Sequence, residues 1–312
     1  MTLEHLSPAD VAVNPVLAEV VRSGFVESRH RGAVAALAAD GTFAFTAGSA
    51  NTPVFPRSAN KPLQAAAMLG LGWQPGSDRE LALATASHNG EPAHVELARA
   101  MVGDLPLQTP ALPPVSEEAW YAILRAGGTA TPLTMNCSGK HAAMLQTCVA
   151  NDWDPSTYLA MDHPLQVGLH AALSGMAGEE ITHVAVDGCG APQHGLTMRG
   201  LVSAFRQLAP VVVHAMSTEP WYVGGTGRDV TRLMEAFPGL VVKDGAEGVC
   251  VARLPDGSAA AVKVDDGSGR ARTPLMVRAL RELGLDDAIL DELAETTVLG
   301  GGRPVGAVRV VF

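Results

Sequence analysis

Short apolar runs rich in β-branched residues lie near both ends of the sequence, and the long segment between them has the apolar spacing of helices. Near the start, residues 33–39 and 42–47 alternate around Asp40-Gly41, a favoured hairpin turn. The late runs are 240–243, 248–254, 258–264 and 305–312. We therefore predict an α+β fold in which one antiparallel sheet pairs the two ends of the chain and helices pack on it.

The middle of the chain repeats apolar residues every three or four positions. This pattern predicts helices over residues 61–71, 92–102, 116–126, 140–151, 165–176, 196–208, 226–236 and 273–283. A sheet that joins both chain ends cannot be divided into consecutive domains. We therefore expect a single catalytic domain over residues 1–312, without an internal boundary.

Composition narrows the range of functions. The chain has 312 residues, 47% of them hydrophobic, and a formal charge of -10, so its surface repels phosphate backbones and no nucleic-acid partner is expected. Residues 1–10 lack the basic start and apolar run of an export signal, and no apolar stretch is long enough to span a membrane. We expect a cytoplasmic protein. Four cysteines without an export signal argue against a disulfide framework.

A candidate nucleophile and its base lie at the start of the helix predicted from residue 61. Ser58 and Lys61 are three residues apart, which places them on one face of a helical turn. A serine hydroxyl needs an adjacent base, and a lysine can act as one if burial lowers its pKa. The simpler alternative is an N-cap serine beside a solvated lysine. The apolar sequence that follows indicates a buried helix, which favours the catalytic interpretation.

A second hydroxyl and a second lysine are also candidates. Ser87 lies in a polar cluster that directly follows the apolar run 81–84, where a loop with a helix cap is the alternative. Lys263 interrupts a late apolar strand, where a lysine that guards a sheet edge is the alternative.

Two cysteines suggest a metal site. Cys137 and Cys189 both lie in glycine-containing turns at the ends of predicted elements, where a thiolate can be exposed. Two thiolates and one nitrogen donor could hold zinc with a position open to water or substrate. Lys140 and His141 are the nitrogen donors nearby, and packed free thiols are the alternative.

Taken together, these segments resemble the serine–lysine (thermolabile, rhizobial-type) L-asparaginase family, or asparaginase II domain. The resemblance rests on five separated motifs, in order and spacing, and runs from about Leu17 to Phe312. The motifs are Arg57-Ser58-Ala59-Asn60-Lys61-Pro62, Ser87-His88, Met135-Asn136-Cys137-Ser138-Gly139-Lys140-His141, Asp187-Gly188-Cys189-Gly190, and Lys263 in its late strand.

The resemblance implies a fold like that of serine β-lactamases and glutaminases, and a homodimer. It also implies a nucleophilic Ser58 activated by Lys61, a second pair formed by Ser87 and Lys263, and zinc held by Cys137, Lys140 and Cys189. Lysine as the third metal ligand rests on the resemblance alone, since the chemistry of the residues would favour His141. The implied substrate is L-asparagine, which is hydrolysed to L-aspartate and ammonia through a serine acyl-enzyme.

Charged residues beside these motifs are candidates for contacts with a zwitterionic substrate. Arg57, His141 and Asp187 are chosen on that basis. The alternatives are a glutaminase or another Ser-x-x-Lys amidohydrolase, and a zinc- or ligand-binding homologue without activity. A β-lactamase is disfavoured, because the late lysine reads Lys263-Val264-Asp265 in place of Lys-Thr-Gly and no Ser-Asp-Asn triplet occurs.

Overall fold

A computed structural model describes residues 13–312 of the chain. The expectation that residues 1–10 carry no export signal therefore lies outside the described residues. Strands occur in both terminal regions and as short pairs in the middle. They are β1 (Val16–Arg22), β2 (Phe25–Leu37), β3 (Phe43–Ala47), β4 (Pro53–Val54), β5 (Val184–Val186), β6 (Pro192–His194), β7 (Leu196–Thr197), β8 (Val241–Gly245), β9 (Val249–Arg253), β10 (Ala259–Val264), β11 (Thr296–Gly300) and β12 (Arg303–Val310).

The main sheet joins the two ends of the chain. Its strand order is β11-β12-β1-β2-β10-β9-β8, with β3 also paired to β2. All of these pairs are antiparallel. The first part of the long β2 pairs with β1, and its last six residues pair with β10 in a register that matches Leu37 to Ala259. The predicted α+β architecture, an antiparallel sheet around a helical middle, is confirmed.

Helices occupy most of the segment between these strands. They are α1 (Lys61–Gly70), α2 (Asp78–Ala84), α3 (Pro92–Val102), α4 (Glu117–Arg125), α5 (Ser138–Ala150), α6 (Pro164–Ala177), α7 (Met198–Arg206), α8 (Pro210–Thr218), α9 (Pro220–Val223), α10 (Asp229–Ala236), α11 (Gly269–Glu282) and α12 (Ala288–Leu293). Among residues 13–312, no helix has the length and apolar character needed to cross a membrane.

Helix α5 runs through the core between the other helices. Nearly all of its residues from Ser138 to Cys148 are buried. A side chain at Gly139 would lie 2.4 Å from the backbone oxygen of Leu83 at the end of α2, so glycine permits the two helices to approach closely. This contact fixes the start of α5, with Cys137 and Lys140, beside the segment that follows α2 and carries Ser87.

The structure contains the predicted elements and several shorter ones besides. All eight predicted helices are present, and α3 has the predicted bounds. The sequence pattern missed four short helices, α2, α8, α9 and α12, and the strands β1, β4, β6, β7 and β11. Each of these helices has nine residues or fewer, which is too short for a helical period to stand out.

Candidate active site

Lys61 lies at the centre of the candidate site. It is the first residue of α1 and is only 1% exposed. Its Nζ donates hydrogen bonds to the backbone oxygen of Ala86 at 2.5 Å, to Ser87 Oγ at 3.2 Å and to Cys137 Sγ at 3.2 Å. A buried amine must have partners, because its transfer from water is costly. Lys61 thus links α1, the Ser87 segment and the start of α5.

Ser87 lies between two lysines. Its side chain is buried, and its Oγ accepts hydrogen bonds from Lys61 Nζ at 3.2 Å and from Lys243 Nζ at 3.0 Å. Lys243 lies on β8 and is fully buried. A hydroxyl held between two amines can receive a proton from one and pass a proton to the other.

The predicted pairing of Ser87 with Lys263 is wrong, because Lys243 occupies that position. Lys263 Nζ instead donates to the backbone oxygens of Glu247, at 2.9 Å, and Val264. The sheet order explains the error: β8 packs against the turn before α1, whereas β10, which carries Lys263, lies two strands away. The family resemblance implies one lysine in a late strand, and the sequence has two such lysines, Lys243 on β8 and Lys263 on β10.

The structure also differs from the predicted direct contact between Ser58 and Lys61. Ser58 lies in a 3₁₀ turn, Arg57–Asn60, that runs directly into α1. Within the described residues, the hydrogen-bond partners of Lys61 Nζ are Ala86, Ser87 and Cys137, and Ser58 is not among them. Ser58 is half-buried, whereas Ser87 is 6% exposed. The more accessible hydroxyl is therefore the one at Ser58.

The end of β8 packs directly on the Ser58 turn. A side chain at Gly245 would lie 2.5 Å from the backbone oxygen of Pro56 and 3.4 Å from the backbone nitrogen of Ser58. These contacts leave no room for any residue larger than glycine. The segment Lys243-Asp244-Gly245 therefore contacts Ser87 through Lys243 and the Ser58 turn through Gly245. The lysine to compare with Lys-Thr-Gly is therefore Lys243, in Lys243-Asp244-Gly245, and not Lys263, in Lys263-Val264-Asp265.

The environment of Lys243 lowers the pKa of its amine from the ordinary value of 10.5. Burial lowers the pKa of its amine, and the nearby charges of Lys61 and Arg228 lower it further, while Asp244 opposes them, so that the pKa falls to about 8. An amine with a pKa near neutral pH can both accept and release a proton during turnover. Lys243 therefore has the protonation properties of a general base.

A cluster of thiols and an amine adjoins this site. Cys137 and Cys189 are both buried, Lys61 Nζ donates to Cys137 Sγ at 3.2 Å, and Lys140 Nζ donates to Cys189 Sγ at 3.1 Å. The neighbouring Cys189 thiol, then the positive charges of Lys61 and Lys140, hold the pKa of Cys137 well below its usual value against the opposing effect of burial. Burial disfavours the charged form of Lys140, but the two sulfurs outweigh it and raise the pKa of its amine. The three predicted metal ligands are thus brought together.

The histidines beside the site are neutral. His141 is fully buried and shares a 2.7 Å hydrogen bond with Tyr158, while its Nε2 has no partner among the described residues. Burial, and secondly Lys140, lower its pKa to about 4. His88 accepts a hydrogen bond from the Gly90 backbone and, through its other ring nitrogen, contacts Ser138, so it ties the Ser87 segment to α5. The role of His141 in substrate binding stays a prediction.

The other predicted substrate contacts, Arg57 and Asp187, form an ion pair. Arg57 Nε lies 2.7 Å from Asp187 Oδ1, and its guanidinium is 3.7 Å from Glu247. Arg57 has a φ of 51°, an unfavourable conformation for a residue other than glycine, of the kind found at functional sites. Asp187 Oδ2 lies 3.6 Å from Cys189 Sγ, so this ion pair borders the thiol cluster.

Sequence reasoning missed Lys243, Asp244 and Arg228. A signal was present, because Lys243 and Asp244 directly follow Leu240-Val241-Val242 and every residue of β8 is buried. Charged residues are rarely buried in an apolar strand unless they are paired, so two adjacent ones indicate a functional site. Arg228 gave no comparable signal, since it lies in a polar loop before α10.

Comparison with solved structures finds distant similarities. They include a β-lactamase from Mycobacterium bovis (14% identity, 81% of this chain and 95% of that chain, TM-score 0.45). They also include Mglu in its native form (17% identity, 89% of this chain and 71% of that chain, TM-score 0.46). No curated protein matches the sequence.

The sequence matches one protein family over nearly its whole length. Residues 18–310 match the family described as L-asparaginase II. This range contains Ser58, Lys61, Ser87 and Lys243 together with the thiol cluster. The chain therefore belongs to the L-asparaginase II family of serine–lysine amidohydrolases.

Proposed function

We propose that this protein hydrolyses the side-chain amide of L-asparagine to L-aspartate and ammonia. The observation that carries the proposal is the Ser87 hydroxyl held between two buried lysines, beside the turn that bears Ser58. This arrangement offers an accessible hydroxyl, a proton relay and an amine base within one small region. Amide hydrolysis through a serine ester needs these three parts.

Ser58 is the attacking serine in this proposal, because its half-buried side chain is more accessible than that of Ser87. Its Oγ attacks the side-chain carbonyl carbon of asparagine, and the hydroxyl proton passes to the uncharged amine of Lys61, which must first give up one of its hydrogen bonds to Ala86, Ser87 or Cys137. The tetrahedral intermediate then expels ammonia, which leaves with a proton from the lysines. Water hydrolyses the resulting β-aspartyl ester by the reverse proton transfers and frees L-aspartate.

Ser87 and Lys243 complete the proton path. Ser87 Oγ contacts the amines of both lysines, so a proton on Lys61 can move through this hydroxyl to Lys243. Lys243 can store the proton, since its pKa of about 8 is close to neutral pH. This path restores Lys61 before the leaving group or the attacking water requires it.

Charged groups at the edge of the site suit a zwitterionic substrate. The guanidinium of Arg57 can bind a carboxylate, and the carboxylate of Asp187 can bind an ammonium group. Each is already paired with the other, so the substrate would enter an existing charge network. The homodimer implied by the family resemblance and the cytoplasmic location expected from the sequence are further parts of this proposal.

Zinc held by Cys137, Lys140 and Cys189 is also part of the proposal. In residues 13–312 no three His, Cys, Asp or Glu side chains form a metal-binding group, so the amine of Lys140 would have to be the third donor. The donor chemistry fits, since two thiolates and a neutral amine are ligands that zinc accepts after they lose their protons. When bound, zinc would supply a positive charge that attracts the α-carboxylate of the substrate and a Lewis-acid position for its α-amino group in the uncharged form.

The zinc proposal predicts about one zinc per chain in protein purified without chelator, measured by atomic emission. Lys140→Ala is expected to lose most of that metal. Cys148→Ala is the matched control, because Cys148 is buried elsewhere in α5 and should leave the zinc content unchanged. A zinc content near zero in the parent protein would remove the metal from the proposed function.

The proposed activity predicts ammonia release from L-asparagine with a kcat/KM about tenfold or more above that for L-glutamine, since one methylene in a pocket changes binding by about 1–3 kcal/mol. Equal or faster release from L-glutamine would make the protein a glutaminase. Hydrolysis of nitrocefin at a matching rate would make it a β-lactam hydrolase. An absence of turnover of all three compounds would favour a ligand-binding homologue.

A further inference from the structure

The side chain of Asp244 connects three cationic groups. It follows Lys243 on β8 and is 5% exposed. Its Oδ1 lies 2.7 Å from Lys243 Nζ, and its Oδ2 lies 2.7 Å from Arg228 and 3.5 Å from Arg272. A carboxylate buried among cations is held in its charged form, and its pKa lies far below the usual range although burial alone would raise it.

Asp244 completes a closed loop of hydrogen bonds that runs from the Ser87 hydroxyl through Lys243, Asp244 and Arg228 to the Ser87 backbone. Lys243 Nζ donates to Ser87 Oγ at 3.0 Å and to Asp244 Oδ1 at 2.7 Å. Arg228 donates from one nitrogen to Asp244 Oδ2 at 2.7 Å and from another to the backbone oxygen of Ser87 at 3.2 Å. The second of these nitrogens also donates to Asn89 Oδ1 at 3.2 Å. Both the hydroxyl and the backbone of Ser87 are therefore held by partners of one carboxylate.

We propose that Asp244 is a positioning residue that holds the Lys243 amine on the Ser87 hydroxyl and, through Arg228, fixes the Ser87 backbone. This inference rests on the proposed function, since it assigns the relay of that same site. A carboxylate that orients a base in this way keeps the donor and acceptor of a proton transfer at a fixed distance. Asp244 itself does not touch the substrate in this scheme.

The charges around Lys243 predict the direction in which each substitution shifts its titration. Lys61 at the start of α1, Arg228 before α10 and Arg272 on α11 carry positive charge, Asp244 carries negative charge, and Cys250 lies opposite Asp244 on β9. Removing the carboxylate makes the ammonium form of Lys243 less favourable. Removing the charge of Arg228 makes that form more favourable. The two variants should therefore move the Lys243 titration in opposite directions.

The direct test is a titration of Lys243 by NMR in protein carrying ¹³C-labelled lysine, with the signal assigned by its loss in Lys243→Arg. Asp244→Asn is expected to lower the titration midpoint by about one pH unit or more. The rise of kcat with pH should shift to lower pH in the same direction, and kcat at its plateau should fall while KM changes little. Asp229→Asn is the control, because the carboxylate of Asp229 accepts a hydrogen bond from Thr273 and, within the described residues, accepts none from Lys243.

Arg228→Gln provides the second variant in case Asp244→Asn fails to fold. It is expected to raise the Lys243 midpoint and to lower kcat, because the Ser87 backbone loses a donor. An unchanged midpoint in both variants, or a shift of the same sign in both, would overturn the inference. If the parent protein released no ammonia from asparagine, the proposed function would fail, yet the NMR titration would still decide the role of Asp244.

Discussion

Ser58→Ala is expected to lower the rate of ammonia release from L-asparagine by about a thousandfold or more, because it removes the hydroxyl that attacks the amide. The loss should lie in kcat, since the charged groups that bind the substrate remain. The fold should be retained. Ser58 is half-buried in the 3₁₀ turn before α1, outside the hydrophobic core, so its hydroxyl contributes little to stability. Thermal unfolding monitored by circular dichroism would verify this.

Ser87→Ala is the matched comparison for Ser58→Ala. It removes a hydroxyl that contacts both lysines but leaves the attacking group in place, so we expect a smaller loss of kcat. Acid quenching of the parent enzyme during turnover, followed by peptide mass spectrometry, should find the aspartyl ester on the peptide that contains Ser58. An ester on the Ser87 peptide, together with an active Ser58→Ala variant, would reverse the roles of the two serines.

The fold was predictable from the sequence because its strong signals are local. The hairpin around Asp40-Gly41 and the long amphipathic helices such as α3 follow from residue patterns within a few turns of chain. The pairing of both chain ends followed from the need of strands for partners. In contrast, β1 and the first half of β2 pair with each other and carry Glu19, Glu27 and several arginines, and the second partner of β1 is β12, near the other end of the chain. Local patterns do not reveal such strands.

The candidate site was predictable only in part. Lys61, Ser87, Cys137, Lys140 and Cys189 were identified from motifs at the ends of elements, and the structure brings them together. The second lysine was misassigned, because strand order decides whether Lys243 or Lys263 reaches Ser87. Strand order depends on contacts between residues far apart in the chain, and a single sequence does not record them.

Lys243→Met and Lys263→Met should separate these two assignments by activity. Lys243→Met is expected to lower kcat for asparagine hydrolysis by about 10²- to 10⁴-fold, the usual contribution of a general base. Lys263→Met should leave kcat close to that of the parent, because the Lys263 amine contacts the backbone oxygens of Glu247 and Val264 away from Ser87. The opposite ranking would restore the pairing of Ser87 with Lys263.

The thermal stability of Lys243→Met should show whether the variant has lost only a base or has also lost part of its fold. The pKa of Lys243 falls from an ordinary 10.5 to about 8 in the folded protein, mainly because of burial. Between pH 8 and 10.5 the unfolded chain therefore binds more protons at this residue, so its contribution to stability becomes more favourable as pH rises through that window. Below about pH 8 the contribution is constant and unfavourable. Methionine removes this cost, and Asp244 keeps Arg228 and Arg272 as partners.

Lys243→Met should consequently unfold at the same or a higher temperature than the parent at pH 7, and its stability should rise less between pH 8 and 10.5. Differential scanning calorimetry at several pH values measures both effects. A buried amine lowers the stability of the folded protein, and its presence is explained if its charge changes during turnover. If the variant lost stability at pH 7 in proportion to its loss of activity, Lys243 would be a structural residue, and the base in the proposed relay would have to be sought elsewhere.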